Sequence, residues 1–137
     1  MRIAATVSNT TQAHAAAVRT DGTERTLAIG AKASGRGSSV NGGELLMLAL
    51  ATCYCNDLFR EAARLGIAID AVFVEASAEF AGVGLAATDI RYRATVESSA
   101  AAADIERLLR ETDAVAEIHN TVRAGVPVTL EHSRAHD

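Results

Sequence analysis

Tryptophan is absent from this sequence, lysine and proline each occur once, and aromatic residues make up only 4% of it. The one lysine, Lys32, stands beside twelve arginines that are scattered along the chain, and the net charge is −4. With no basic stripe and no interleaved aromatics, a nucleic-acid partner is not expected. Cysteine is scarce too. Cys53 and Cys55 are one residue apart, so a disulfide framework is not the reason they exist. Long apolar runs are missing. The most apolar stretch, residues 45–55, is eleven residues long and broken by Thr52, whereas a bilayer span needs about 20. The start, Met1-Arg2-Ile3-Ala4, lacks the apolar run of a signal peptide. These absences predict a cytoplasmic protein with no membrane partner. No Gly-x-Ser-x-Gly, phosphate-binding loop or zinc helix spacing occurs, so neither a cofactor nor a metal is expected.

What is present is apolar mass. Residues of apolar type make up 49% of a 137-residue chain, enough for one packed domain over residues 1–137, with residues 130–137 as a frayed polar tail. The apolar residues are mostly Ala, Val, Leu and Ile, which bury little area each. Such a chain gains by covering further surface with a second copy, and a homodimer is the expected state.

The pattern along the chain predicts an α+β arrangement in the order β-β-β-α-β-β-α-α-β. Residues 3–8 alternate as a strand. Asp21-Gly22 signals a hairpin before a strand over 23–29. Residues 30–43, with five glycines and three serines, form a loop. Residues 44–65 are the clearest helix, with Glu44 in its first turn and Gly66 as its stop. Its first half is apolar on every side and is expected to be buried all round. Its second half places Leu58, Phe59, Ala62 and Leu65 on one face and Arg60, Glu61 and Arg64 on the other. Strands follow over 72–80 and 90–97, with acidic residues on one and arginines on the other positioned to pair. Ser98 or Ser99 can cap the next helix, and Thr112-Asp113 can break it. Gly125 ends the second piece, and residues 126–130 are expected as a last strand.

Cys53 is the sharpest chemical feature. A buried cysteine can be an inert small hydrophobe, or a nucleophile if a cation or dipole holds its thiolate. Mid-helix, Cys53 gains little from its own helix's dipole. Cys55 points about 200° away around the axis, so the two thiols neither bridge each other nor chelate one metal. His14 and His119 are expected as ordinary core or surface histidines, and His132 and His136 as solvated.

Residues 41–53, Asn41-Gly42-Gly43-Glu44-Leu45-Leu46-Met47-Leu48-Ala49-Leu50-Ala51-Thr52-Cys53, together with Ala63-Arg64-Leu65-Gly66-Ile67 and the element order, resemble the OsmC/Ohr family. That resemblance implies an intertwined homodimer with antiparallel sheets around buried central helices. It implies a thiol peroxidase in which Cys53 attacks an organic hydroperoxide and becomes a sulfenic acid. It also implies a resolving cysteine in a later Cys-Pro motif, and an arginine and a glutamate that tune the first thiol. The sequence departs from the family in three places. Ala116 stands at the resolving position. The first strand turn, Asn9-Thr10-Thr11-Gln12, carries no arginine, which leaves Arg2, Arg19 or Arg36 as substitutes. Gly43 stands where the peroxidases' glutamate would be, and Glu44 matches a neighbouring, broader-family glutamate. The candidate catalytic residues are therefore Cys53, Glu44 and, as an alternative resolving thiol, Cys55. An external thiol reductant is the other way to complete the cycle. The alternative function is an inactive member that binds a small apolar ligand at the dimer interface.

Overall fold

The computed structural model describes residues 1–131. The tail from residue 132, with His132 and His136, lies outside the described residues. Among the described residues the fold is mixed, with three helices and antiparallel sheets, and it divides into two compact units, residues 1–46 and the residues from 47 on.

In the first unit, β1 (Ile3–Asn9), β2 (His14–Thr20) and β3 (Thr23–Leu27) form an antiparallel sheet in that order. The Asp21-Gly22 turn forms as expected, but Asp21 rather than the glycine takes the positive φ of 51°. The main-chain N–H of Arg2 donates to the Asp21 carboxylate at 2.9 Å and holds the turn. In register, Val7 faces Ala16 and Ala16 faces Leu27, so these apolar side chains share one side of the sheet. Residues 30–41 are more ordered than a loose loop. Ala31 bridges to Ser38, and Gly35 and Gly37 supply φ of 83° and 104° at the bend. Asn41 then starts the next helix. Its side-chain carbonyl accepts from the Glu44 N–H at 2.8 Å, and the Glu44 carboxylate accepts from the Asn41 N–H at 3.1 Å. This reciprocal cap satisfies two free helix-end donors, and the helix begins at Gly42, slightly earlier than its predicted start.

That helix, α1 (Gly42–Leu65), belongs to the second unit from residue 47 on. Gly66, at φ 68°, stops it as expected. The antiparallel pair β4 (Ala71–Glu79) and β5 (Thr88–Glu97) turns Val72, Val74, Tyr92, Ala94 and Val96 inward. Glu75 and Arg93 face each other and form the expected cross-strand ion pair at 2.6 Å. α2 (Ala102–Val115) and α3 (Glu117–Ala124) follow. The core centres on Tyr54, Leu58, Ala62, Leu108 and Ala116.

Several expectations are corrected. In the first half of α1, Leu50 is buried and Leu48 is 60% exposed, so the all-round burial expected there is not supplied by the described residues of one chain. The buried face runs through Leu50, Tyr54, Asp57, Leu58, Glu61 and Ala62. Glu61 therefore lies inside and Phe59 outside (48% exposed), the reverse of the amphipathic assignment. Guanidinium groups make this tolerable, since Arg60 and Arg64 reach Glu61 at 3.1 and 2.5 Å. Neither serine caps α2. Ser98 spends its hydroxyl on Ala68 O and the Ala100 N–H, and Ala101 is an N-cap without a side-chain bond. Thr112 and Asp113 stay inside α2, and the break falls at Ala116, whose extended backbone separates the two helices. Residues 126–130 form no strand. No strand partner pairs with them among the described residues, and Val128 is 98% exposed.

Candidate active site

Cys53 is half-buried on α1 and packs against the core cluster. Asp57 follows one helical turn later, on the same side of the helix. The Cys53 thiol donates to Asp57 Oδ2 at 3.5 Å. The break at Ala116 turns the chain so that Glu117, at the start of α3, approaches from the other side, with its Oε2 4.0 Å from the sulfur. Arg60 lies outside these carboxylates. Its Nη1 is 3.0 Å from Asp57 Oδ1 and 3.5 Å from Glu117 Oε1. The two Asp57 oxygens thus have separate partners, the guanidinium on one and the thiol on the other.

The electrostatics favour a protonated thiol. Burial raises the Cys53 pKa, the Ile118 backbone hydrogen bond lowers it, and the charges of Asp57 and Glu117 raise it further. Asp57 is 6% exposed. Its pKa is raised by burial and by the Glu117 charge, with Arg60 opposing. Glu117, held by its own backbone N–H, moves in the other direction and is the more readily ionised of the two. Cys53, Asp57 and Glu117 also bring three donor atoms within 4.8 Å of one another, a set that could hold a metal ion. Arg60 already neutralises those carboxylates.

Among the described residues, no hydrogen bond or ion pair joins the other sequence candidates to these groups. Glu44 is nine residues earlier on the helix, about 13 Å of rise and on roughly the opposite side of the axis, and its carboxylate serves the Asn41 cap. Cys55 is a free, half-buried thiol. Ala116 is fully buried in the cluster against which Cys53 packs. Of the three arginines weighed as substitutes, Arg36 reaches the first strand turn, where its Nε donates to Asn9 Oδ1 at 2.9 Å. Asp57, Arg60 and Glu117 were not singled out in the sequence. The spacing of Cys53, Asp57 and Arg60 on one helix could have flagged the first two, but Glu117 is recruited by tertiary structure.

A cavity of about 350 Å³ lies in the same unit. Leu50, Ile90 and Val122 line it together with Tyr92, His119 and Arg123. His119 is 3% exposed, and neither ring nitrogen has a hydrogen-bond partner among the described residues. Its ring lies 4.4 Å from that of Tyr92 and 5.8 Å from that of Tyr54. Burial lowers its pKa and the Arg123 charge adds to the effect, which keeps the imidazole neutral.

A long helix carrying half-buried Cys53, packed with an antiparallel sheet, defines a mixed α/β protein with a candidate thiol site. The family model described as OsmC-like protein matches residues 35–131, and the chain belongs to the OsmC-like family. Three solved structures share the fold. An OsmC-like protein from Mycoplasma pneumoniae superposes with a TM-score of 0.68 at 16% identity, covering 90% of this chain and 88% of its own. An organic hydroperoxide resistance protein OsmC from Legionella pneumophila gives 0.58 at 16% identity, covering 90% of both chains. An OsmC-like protein of unknown function from Vibrio cholerae gives 0.57 at 15% identity, covering 88% of this chain and 91% of its own. No curated protein matches the sequence. Among the described residues, no helix is long and apolar enough to cross a membrane.

Proposed function

We propose that this protein is a one-cysteine thiol peroxidase acting on small organic hydroperoxides, with Cys53 as the nucleophile. The observation that carries this reading is the Cys53 sulfur, half-buried and within 3.5 Å of a carboxylate that can take its proton. A nucleophile with an adjacent base is a recurrent arrangement in covalent catalysis. Family membership and the hydroperoxide-resistance description of the Legionella relative support it. In the reaction, sulfur bonds to one peroxide oxygen as the O–O bond breaks. The other oxygen leaves with its organic group and takes up a proton as the alcohol, and Cys53 becomes a sulfenic acid. With Ala116 at the resolving position, an external thiol condenses with the sulfenic acid, and a second thiol restores Cys53.

The reading includes a cytoplasmic homodimer. Exposed Leu48, Phe73 and Val128, with the apolar side of the first sheet, support a second copy as the cover for these surfaces. The free thiols suit a reducing compartment.

The test is consumption of cumene hydroperoxide in the presence of a dithiol. The wild type is expected to consume it and Cys53→Ser to lose that activity. Equal rates in the two proteins would refute the assignment. A second reading, an inactive family member that binds a small apolar ligand, is favoured by the cavity beside Leu50 and His119. Tight binding of a non-reactive aryl alcohol by a wild type without peroxidase activity would select it.

A further inference from the structure

A thiol is commonly activated in one of two ways. A cation can lower its pKa so that thiolate is present beforehand, or a neighbouring base can remove the proton as the sulfur attacks. Arg60 is the guanidinium of this cluster, and it is bonded to Asp57 and Glu117. It does not act on the sulfur directly. Among the described residues of the second unit, the groups that face the sulfur are two carboxylates and the Ile118 backbone. An anion next to a thiol suppresses thiolate but can serve as a base.

We infer that Asp57 is the catalytic base of this site, taking the Cys53 proton as the sulfur attacks the peroxide and returning it to the departing alkoxide. This inference rests on the peroxidase reading above. The step balances: S–H and O–O bonds break, S–O and O–H bonds form, and sulfur is oxidised as the peroxide is reduced. Asp57 is better placed than Glu117. It is closer to the sulfur, at 3.5 against 4.0 Å. It is buried, whereas the Glu117 side chain is 66% exposed and its charge is screened. Arg60 holds Asp57 by Oδ1 and leaves Oδ2 to the thiol. The Ile118 backbone hydrogen bond supports the negative charge that develops on sulfur. Burial and the Glu117 charge raise the proton affinity of Asp57, which makes it a stronger base than a solvated aspartate.

Asp57→Asn separates this role from a merely inhibitory charge, because the two predict opposite signs. Two rates are measured across pH 5–9: iodoacetamide alkylation at Cys53, located by fragment mass, and single-turnover oxidation by cumene hydroperoxide. Removing the Asp57 charge makes the thiol more acidic, so alkylation at neutral pH is expected to accelerate. Oxidation is expected to slow by about tenfold or more. Oxidation that accelerates in step with alkylation, or that does not change, would overturn the inference. Arg60→Gln, on an exposed side chain, gives an independent readout. It makes Asp57 harder to ionise, so the rise of the oxidation rate is expected to move to higher pH, and an unmoved profile counts against the role. If wild type and Cys53→Ser differ as proposed while Asp57→Asn tracks alkylation, this inference fails and the peroxidase reading stands. A wild type that does not react with hydroperoxides removes both.

Discussion

His119→Phe should stabilise this protein. The native imidazole is 3% exposed, and both nitrogens lack partners among the described residues. A buried polar group without a hydrogen bond costs about 1–3 kcal/mol. Phenylalanine removes that penalty and keeps an aromatic ring against Tyr54 and Tyr92, 5.8 and 4.4 Å from the present ring centre. It is also larger, and overpacking costs about 1 kcal/mol at the low end, but the adjoining cavity of about 350 Å³ can take up the added volume. The expected net gain is about 1–2 kcal/mol. For a chain of this length that corresponds to a Tm increase of roughly 3–8 °C. The assay is thermal unfolding followed by circular dichroism at fixed protein concentration. Because the folded-state pKa of His119 lies below its unfolded value of 6.5, the unfolded chain binds its proton first on acidification. Stability from this group is present above pH 6.5 and is lost as pH falls from there through the depressed folded value. His119→Phe should lack that component of the acid sensitivity. A variant destabilised by more than 1 kcal/mol, or one with the wild-type pH slope, would mean that the ring nitrogens are satisfied and the reasoning is wrong.

Two further predictions concern parts of the family pattern that this chain lacks or keeps. Ala116→Cys returns a thiol to the fully buried position beside the cluster against which Cys53 packs. One equivalent of hydroperoxide should then yield an intramolecular disulfide, seen as the loss of two hydrogens by intact mass, whereas a sulfenic acid still trapped by dimedone would argue against the alignment. Asn41→Ala removes one half of the reciprocal cap with Glu44. It should cost about 1 kcal/mol in denaturant unfolding, and an unchanged midpoint would show that the cap is dispensable.

The elements most legible in the sequence were those specified locally. Gly66 and Gly125 stop helices because their positive φ needs no Cβ. Alternation in β4 and β5 is a period-two signal that survives in isolation. The misread features depend on distant parts of the chain. Glu61 looked like a solvent residue because its two guanidinium partners are visible only in three dimensions. Ser98 looked like a cap until Ala68 supplied a competing acceptor. At the candidate site, the motif singles out Cys53, but the groups around it in the structure are not marked the same way. Asp57 is marked only by its spacing from Cys53 and Arg60 on α1, and Glu117 arrives across a helix break whose position at Ala116 has no turn residue to mark it. Arg36 reaches the Asn9 turn only because residues 30–41 fold back on themselves.

Among the described residues, the buried polar ones are Asp57, Glu61, Thr112 and His119, and the surroundings of the two carboxylates distinguish them. Glu61 is held by two guanidinium groups, which lower its pKa through hydrogen bonds from Arg64 and then Arg60. Such a carboxylate remains ionised and suits a structural role. Asp57 has the opposite arrangement. It is buried beside a second carboxylate and a thiol, with one guanidinium shared among its neighbours. For a permanent anion this is an unfavourable place, because burial and the like charge both oppose ionisation. For a group that alternates between charged and neutral forms it is suitable, because neither form is strongly trapped. An aspartate that acted on the sulfur only through its charge would be replaced by asparagine with alkylation and oxidation accelerating together. One that carries a proton during each turnover would not, and the opposed effects on alkylation and oxidation follow from that difference.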